Sequence, residues 1–466
     1  MAAWGFTPQL AEVDTGCMGM SRWVGILLVG GLMACAGAAP ALGAPRFSAP
    51  ITVAARGLPS LSAPPAVAVN ASGDSVVAWN AQLRGRAYLR IDVRRGASSG
   101  RLGRAQQVGE GSSPKVAIAP DGAAVVMWEG VARPGNGRRL LLASIAPPGT
   151  AFGRPQKLLL VKADVPYFSV VATDERIVAI WGQGIPHGQP AVRYAIAADR
   201  LFGRDETVGP SYEGFLYGAG ADAAGDVIAS YDALPPTSKE EPHVAAAVLP
   251  AGASSFRAPE TLAPGLLAQL PYAAAEGESF ADGPGGVAVG LTAGATNSVL
   301  LSTSLGSGLS FSPPVPVGEI PNPPPSLTTY TGPALALPSE GGEIAAWTVG
   351  RWFSAQSESP VTGSLMVSSE QADGSFSAPV SLSPPATLSQ YPVAAATDDT
   401  AIVAWGEGAF ERERLVYSVR AAGRSFASPR GLARGVLRQP AIAAAGAHAL
   451  IAWIAGTRLQ MAVLNG

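Results

Sequence analysis

The feature that most constrains this chain is a hairpin-like pattern that recurs along its length. The stretch 114-PKVAIAPDGAAVVMW-128 has two apolar runs around a Pro-Asp-Gly turn and ends in tryptophan. Closely similar text stands at 65-PAVAVNASGDSVVAW-79 and at 391-YPVAAATDDTAIVAW-405. Self-similarity at a regular spacing indicates a repeat architecture. Aligned on their last residue, the copies end at Trp79, Trp128, Trp181, Tyr231, Leu291, Trp347, Trp405 and Trp453.

A second motif, which we call the tail, follows each hairpin after one intervening strand. Clear copies are 152-FGRPQKL-158, 256-FRAPETL-262, 311-FSPPVPV-317, 376-FSAPVSL-382 and 426-FASPRGL-432, and weaker ones are 102-LGRAQQV-108 and 202-FGRDETV-208. One more copy, 47-FSAPITV-53, comes before the first hairpin, and the chain ends on the strand-like run 457-TRLQMAVL-464. The first tail is therefore available to complete the last unit.

Each unit predicts four short strands, which in the second unit cover about 115–119, 123–128, 139–145 and 155–160. The runs are bounded by Gly, Pro or Asp, and none has a helical period. Four-stranded antiparallel units repeated at this spacing are typical of a β-propeller. We therefore predict an all-β fold over residues 45–466, an eight-bladed β-propeller of four-stranded antiparallel blades. The N-terminal strand is expected to close it by pairing with the C-terminal blade, which removes an open sheet edge.

The aromatic side chains at the repeated position are predicted to be structural. Tryptophan is large enough to fill the wedge between two blades. The six blade tryptophans are Trp79, Trp128, Trp181, Trp347, Trp405 and Trp453.

Two tails resemble, distantly, the end of the Asp-box hairpin of sialidase-type propellers. In 308-GLSFSPP-314 and 423-GRSFASP-429, a glycine and a small residue precede an aromatic residue and a later proline. The defining aspartate is absent, phenylalanine replaces the usual tryptophan, and the units outnumber those of that family. The resemblance covers about eight residues per repeat. It implies an exported bacterial β-propeller and carries over no catalytic residue.

The first 44 residues are similar to an export signal. Arg22 is followed by the apolar run 23-WVGILLVGGLMA-34 and then by the small-residue stretch 36-AGAAPALGA-44. A run of about 12 residues suits a signal-peptide core and is short for a bilayer span. We expect cleavage near Ala44, giving a secreted or cell-surface protein with no membrane span in the mature chain.

The same segment has alternative interpretations. Residues 1–17 extend upstream of an ordinary signal, so Met18 or Met20 is an alternative start. The stretch 32-LMAC-35 resembles a lipoprotein signal, in which Cys35 would be lipidated and would anchor the protein. Since Cys17 and Cys35 are the only cysteines, a chain cleaved near Ala44 has no disulfide.

Composition excludes several classes of partner. The net charge of −2 gives no positive field to attract nucleic acid. The three histidines, His187, His243 and His448, do not have metal-ligand spacing, so we expect no metal site. We also expect no cofactor and a monomeric protein.

Candidate binding residues lie where the long, variable loops are expected. Loops that join second to third strands share one face of a propeller with the connections between blades, and function concentrates in such loops. Arg351 and Trp352 occupy the longest loop. Tyrosines at or before first strands could stack on sugar rings or peptide side chains, or could merely pack at a strand entry. These tyrosines are Tyr167, Tyr272, Tyr330 and Tyr391.

The leading interpretation is a binding module that recognises an extracellular protein or polysaccharide. The first alternative is a carbohydrate-active enzyme, a glycoside hydrolase or lyase, which needs two carboxylates across the scissile bond. The second alternative is a structural envelope protein. A close carboxylate pair with one raised pKa would favour the enzyme, an aromatic-lined mouth would favour binding, and a blocked channel would favour the structural role. Candidate loop carboxylates are Glu129, Glu241, Glu358, Glu407 and Glu411.

Overall fold

The structure is a computed structural model that describes residues 45–465 apart from short internal segments. The segments left out are 56–57, 60–62, 83–88, 132–137, 162–166, 185–188, 199, 235–242, 264–278, 294–297, 304–308, 320–327, 352–361, 385–386, 409–412 and 437–439. Every regular element of the described residues is a β-strand, and the strands pair antiparallel. The predicted all-β class is confirmed.

The described chain starts with three short strands and two sheets. The short strands are β1 (Arg46–Phe47), β2 (Ile51–Ala54) and β3 (Leu58–Pro59). The first sheet contains β4 (Ala66–Val69), β5 (Ser75–Gln82), β6 (Leu89–Gly96) and β7 (Gln106–Glu110), with β3 also on β5. The second contains β8 (Ser112–Ile118), β9 (Ala124–Val131), β10 (Arg139–Ala146) and β11 (Gln156–Val161).

The next two sheets share one long strand. Their strands are β12 (Phe168–Ala172), β13 (Ile177–Gln183), β14 (Ala191–Ala198), β15 (Leu201–Phe202), β16 (Glu206–Ala221), β17 (Val227–Ala233), β18 (His243–Leu249) and β19 (Glu260–Ala263). The first part of β16 pairs with β14, and the rest pairs with β17. Strand β16 is therefore the outer strand of one sheet and the inner strand of the next.

Two further four-stranded sheets follow. One contains β20 (Ser279–Gly283), β21 (Gly286–Ala293), β22 (Ser298–Thr303) and β23 (Val315–Glu319). The other contains β24 (Thr328–Ala336), β25 (Ile344–Arg351), β26 (Thr362–Ser369) and β27 (Val380–Ser381).

The C-terminal part of the chain pairs with the N-terminal strands. Its strands are β28 (Ser389–Ala396), β29 (Thr400–Glu407), β30 (Glu413–Ala421), β31 (Arg430–Val436), β32 (Ala441–Ala445), β33 (His448–Ala455) and β34 (Arg458–Asn465). Both β1 and β2 pair with the free edge of β34, with Phe47 opposite Leu464 and Ile51 opposite Met461.

Neighbouring sheets pack face to face through apolar clusters. The first strands β4, β8, β12, β16, β20, β24, β28 and β32 each contact the next, and β32 contacts β4. One cluster joins the last sheet to the first, with Met461 packed among residues that include Val77 and Trp79. Second strands are buried on both faces, as in β29, where all eight residues are buried. This explains why they read as continuous apolar runs rather than as an alternating pattern.

Tight turns join first to second strands. In the turn after β8, the Gly122 amide donates to the Ala119 carbonyl, and the Ala123 amide donates to Asp121 Oδ1 at 2.7 Å. Gly122 has φ 87°, a left-handed conformation that favours glycine. Turn geometry therefore accounts for the aspartate of this hairpin.

The six repeated tryptophans are buried between sheets, each at 2% exposure or less. Trp128 packs with Val93 and Val108 of the preceding sheet. A Cβ on Gly109 would lie 2.5 Å from the Trp128 ring, and one on Gly318 would lie 2.8 Å from the Trp347 ring. Each of these glycines follows a tail, so its missing side chain provides the space that the next tryptophan fills.

A polar link joins consecutive tails. The Gln106 side chain donates to the Phe152 carbonyl at 2.8 Å and accepts from the Phe152 amide at 2.9 Å. Gln156 makes the same pair of bonds with Phe202, both at 2.7 Å. Each glutamine stands four residues after the start of its tail. The glutamine of one tail therefore binds the backbone of the first residue of the next tail.

We predict that Trp128→Ala lowers the free energy of unfolding by about 3–5 kcal/mol, because it leaves a cavity between two sheets. Chemical denaturation followed by tryptophan fluorescence measures the change. A loss below about 1 kcal/mol would contradict the packing role.

We predict that Gln106→Ala costs about 1–3 kcal/mol, because the Phe152 amide and carbonyl lose their partners. The matched control is Gln107→Ala, because Gln107 is the adjacent, exposed residue. Equal denaturation midpoints for the two variants would show that the link between tails contributes nothing.

Candidate functional site

The strand order places two kinds of connection at the same end of the sheets. Because first and second strands run antiparallel, the loops after second strands lie beside the connections that enter first strands. We call this end the loop face. The opposite end carries the tight turns after first strands. Long loops on a rigid strand framework are the usual place for binding residues.

An inner cavity of about 1610 Å³ runs along the first strands from the loop face to the turns. Its wall has polar and apolar surface in about equal parts, and its apolar side chains include Val116, Val170, Ala219, Leu335 and Ile442. The described residues therefore do not form the blocked channel that would favour a purely structural role. Five lining carboxylates stand at or beside the turns, Asp174, Glu175, Asp222, Asp282 and Asp398.

An aromatic pair stands on the loop face beside this cavity. Tyr167 is 46% exposed, and its ring centroid lies 4.9 Å from that of Phe215 at an interplanar angle of 45°. The Tyr167 carbonyl accepts a hydrogen bond from the Gly182 amide at 2.9 Å, which fixes its backbone beside β13. We call Tyr167 and Phe215 the aromatic platform.

A buried carboxylate positions the segment that carries Phe215. Asp232, 2% exposed, accepts hydrogen bonds from the Ser211 hydroxyl and from the amides of Glu213 and Phe215, both at 3.1 Å. Burial raises the pKa of Asp232 to about 7, although these hydrogen bonds act in the opposite direction. Its oxygens face the protein backbone, so it organises the 211–215 segment rather than facing a ligand.

That segment lies directly over the end of β13. A Cβ on Gly182 would meet the Gly214 carbonyl oxygen at 1.6 Å, so only glycine fits there. Gly214 itself has φ 81°. The two glycines allow close backbone approach and bring Phe215 to Tyr167.

Two of the predicted loop-face carboxylates are engaged within their own sheets. Glu407 is 2% exposed and accepts from the Trp405 indole at 3.0 Å and from Arg414 Nε at 2.9 Å. Glu129 lies 3.3 Å from Arg139. The other three predicted carboxylates, Glu241, Glu358 and Glu411, lie outside the described residues.

Two more acidic residues at this end are buried. Asp92 pairs with Arg90, and burial nevertheless raises its pKa. Burial also raises the pKa of Glu413. Burial is the cause that raises both pKa values.

The predicted binding tyrosines have different settings. Tyr167 lies just before β12, whereas Tyr391 lies within β28, in a bulge between Gln390 and Val393, at φ 52°. Tyr391 is 41% exposed and lines the inner cavity. The two tyrosines share a spacing to their tryptophans, but the bulge gives them different surroundings.

The structure describes only some of the remaining predicted residues. Arg351 ends β25 opposite Thr328, and Tyr330 pairs with Val349. Trp352 and Tyr272 lie outside the described residues, as does Cys35. The sequence argument missed Phe215 and Asp232. The pair Tyr231-Asp232, an acid directly after the repeated aromatic, was the available signal for the buried carboxylate.

Two searches of the described residues give negative findings. No group of three or more His, Cys, Asp or Glu side chains is arranged to hold a metal ion. No described segment forms a helix long and apolar enough to cross a bilayer.

Comparisons with known proteins return structural neighbours but no sequence relative. No family model and no curated protein match the sequence. The fold is similar to an ulvan lyase of polysaccharide lyase family 25, with TM-score 0.44 and 11% identity, covering 90% of this chain and 98% of that one. It is similar to an α-L-arabinanase of Penicillium chrysogenum, with TM-score 0.38 and 10% identity, covering 90% and 98%. It is also similar to the β-propeller domain of the Trilobed protease of Pyrococcus furiosus, with TM-score 0.41 and 7% identity, covering 80% and 96%.

We predict that the folded protein loses stability as pH rises from 5 to 8, and that Asp232→Asn reduces this loss. The folded-state pKa of about 7 lies above the usual 3.8, so the stabilising contribution is complete below about pH 4 and is lost as pH passes 7. The Asp232 share between these pH values is about 3 kcal/mol at most.

Urea denaturation at both pH values measures this slope. Asp373→Asn is the control, because Asp373 is exposed and its pKa is lowered. An unchanged slope in Asp232→Asn would show that Asp232 is already ionised at pH 5.

Proposed function

We propose that the sheets are the blades of an eight-bladed β-propeller closed by the N-terminal strand. The contact between β32 and β4 supports this arrangement, as does the pairing of β1 and β2 with β34. A closed ring leaves no sheet without a partner on either face, which suits second strands buried on both sides.

The protein is further proposed to be exported. In this proposal residues 1–44 are a signal peptide and 45–466 the mature domain, released or held at the cell surface as a monomer. The alternative is a lipid anchor at Cys35. The support is the apolar run 23–34 and the small-residue stretch that follows it.

The proposed activity is binding of an extracellular polysaccharide or protein through the loop face. The observation that carries it is the aromatic platform, an exposed tyrosine held against Phe215 by a buried carboxylate and two glycines. Rigid aromatic rings bind at low entropic cost, because few side-chain torsions are lost. The predicted residues Arg351, Trp352, Tyr272, Tyr330 and Tyr391 are proposed to extend the same surface.

The engaged state of Asp232 and Glu407 favours binding over hydrolysis at these two residues. A general acid or nucleophile must reach the substrate. Asp232 and Glu407 are instead buried and hydrogen-bonded within the protein. A carbohydrate-active enzyme remains the alternative that the following experiment distinguishes.

We predict that the purified protein is retained on at least one member of a polysaccharide panel without releasing reducing ends, and that Tyr167→Ala weakens retention about tenfold or more. The control is Leu201→Ala, which removes a side chain 65% exposed at the opposite end of the same sheet. Affinity electrophoresis measures retention, and a reducing-sugar assay measures release.

Other outcomes would contradict this proposal. Release of reducing ends would show that the protein is an enzyme. An equal loss of retention in Tyr167→Ala and Leu201→Ala would show that the loop face is not the binding surface. Absence of both retention and release would exclude the panel polysaccharides, and a protein partner or an envelope role would then be tested by cross-linking at the cell surface.

A further inference from the structure

A single lysine projects from the wall of the inner cavity. Lys115 lies in the middle of β8 (Ser112–Ile118) and lines the cavity. It is exposed, yet the surrounding protein desolvates its ammonium and lowers its pKa. Both observations describe a side chain that extends into a solvent-filled space enclosed by protein.

Among the described residues, no carboxylate pairs with Lys115. The lining carboxylates, Asp174, Glu175, Asp222, Asp282 and Asp398, stand at or beside the turns. A partly desolvated ammonium without a counter-ion is less favourable than one paired with an anion, because it loses part of its hydration without gaining a partner.

The fold does not require lysine at this position. Lys115 pairs with Met127, the residue before Trp128, and Val393 pairs with Ala404, the residue before Trp405. Val393 thus occupies the same register in another sheet.

The backbone is also alike at the two positions. Ser113 and Tyr391 both precede proline in a bulge, at φ 54° and 52°. Bulges redirect the side chains that follow them. The charge is therefore an addition to a position that elsewhere holds a small apolar side chain.

The charges along the cavity differ from end to end. A negatively charged group that enters from the loop face reaches Lys115 before it reaches the acidic side chains at the turns, whereas one that enters past the turns meets those acidic side chains first. Opposite charges attract and like charges repel. The charge distribution therefore favours an anion that enters from the loop face.

We propose that Lys115 is an anion-binding residue of the inner cavity and pairs with a carboxylate of a ligand that enters from the loop face. The proposal builds on the proposed binding function and adds the chemical class of the ligand. A carboxylate supplies a counter-ion for Lys115, and the polar and apolar surface of the wall contacts the remainder of the ligand.

The test uses the small number of lysines. The chain has four, Lys115, Lys157, Lys162 and Lys239, so reductive ¹³C-methylation gives four lysine signals besides that of the N-terminal amine, and single Lys→Arg variants assign the lysine signals. Dimethylation keeps the positive charge. The probes are tri-galacturonate and its methyl ester, and N-acetyl-trialanine and its amide. Each pair matches in shape and differs in the carboxylate.

We expect a charged probe to shift the Lys115 signal and to raise its pKa, while its neutral partner does neither. The probe pair that responds identifies the carboxylate source as a sugar acid or a peptide terminus. Lys115→Val should weaken binding of that probe about tenfold or more, and Lys115→Arg should retain it. Lys115→Val copies the residue at Val393, so its denaturation midpoint should equal or exceed that of the parent.

Three results would overturn the proposal. They are equal effects of the charged and neutral probes on Lys115, shifts confined to the other lysines, and unchanged affinity in Lys115→Val. If the polysaccharide panel still shows retention that depends on Tyr167, the binding function stands and only the role of Lys115 fails. If retention is also lost, both fail together.

Discussion

The packing of a large aromatic side chain against a glycine between adjacent sheets is the interaction on which the rest of this structure depends. Trp128 over Gly109 and Trp347 over Gly318 show the pattern, in which one sheet supplies the ring and the preceding sheet the space. A four-stranded sheet alone leaves two apolar faces in water. Repeating this contact buries them and fixes the distance between neighbours, and the Gln106 link to Phe152 then sets their alignment at the outer edge.

Much of this architecture could be predicted from the sequence, because the hairpin and tail recur as text. The strands predicted in the second unit lie within about three residues of β8–β11. The start of β8 and the end of β9 differ most, and β8 begins earlier because a bulge at Ser113 extends the pairing to Ser112. The tail motif is visible in the sequence as a repeat, but the backbone groups that its glutamine binds are not. Recurrence shows that Gln106 and Gln156 are equivalent, and only coordinates show which backbone groups they bind.

The candidate site was less predictable, for reasons that particular residues make clear. Tyr167 was identified from its distance to Trp181, but the same spacing for Tyr391 concealed a bulge that places it in a different environment. Phe215 lies within the long strand β16, and nothing in the sequence around it indicates that its side chain is partly exposed. Asp232 begins a segment that reads as a polar loop, whereas its carboxylate is buried and holds the backbone of another strand. Such contacts join residues about 20 positions apart through side-chain direction, which periodicity does not encode.

The pairing of β1 and β2 with β34 has a consequence for how the molecule reaches its folded state. Ser48 and Val463 are hydrogen-bonded across 415 positions of sequence, so β1 and β2 have no partner until β34 has been synthesised. Contacts of such separation form slowly, because a long chain must first be brought together. Until they form, the edge of β34 is open to pairing with another molecule. Removal of β1 and β2 therefore leaves the edge of β34 unpaired, and removal of β34 leaves the edge of β33 unpaired.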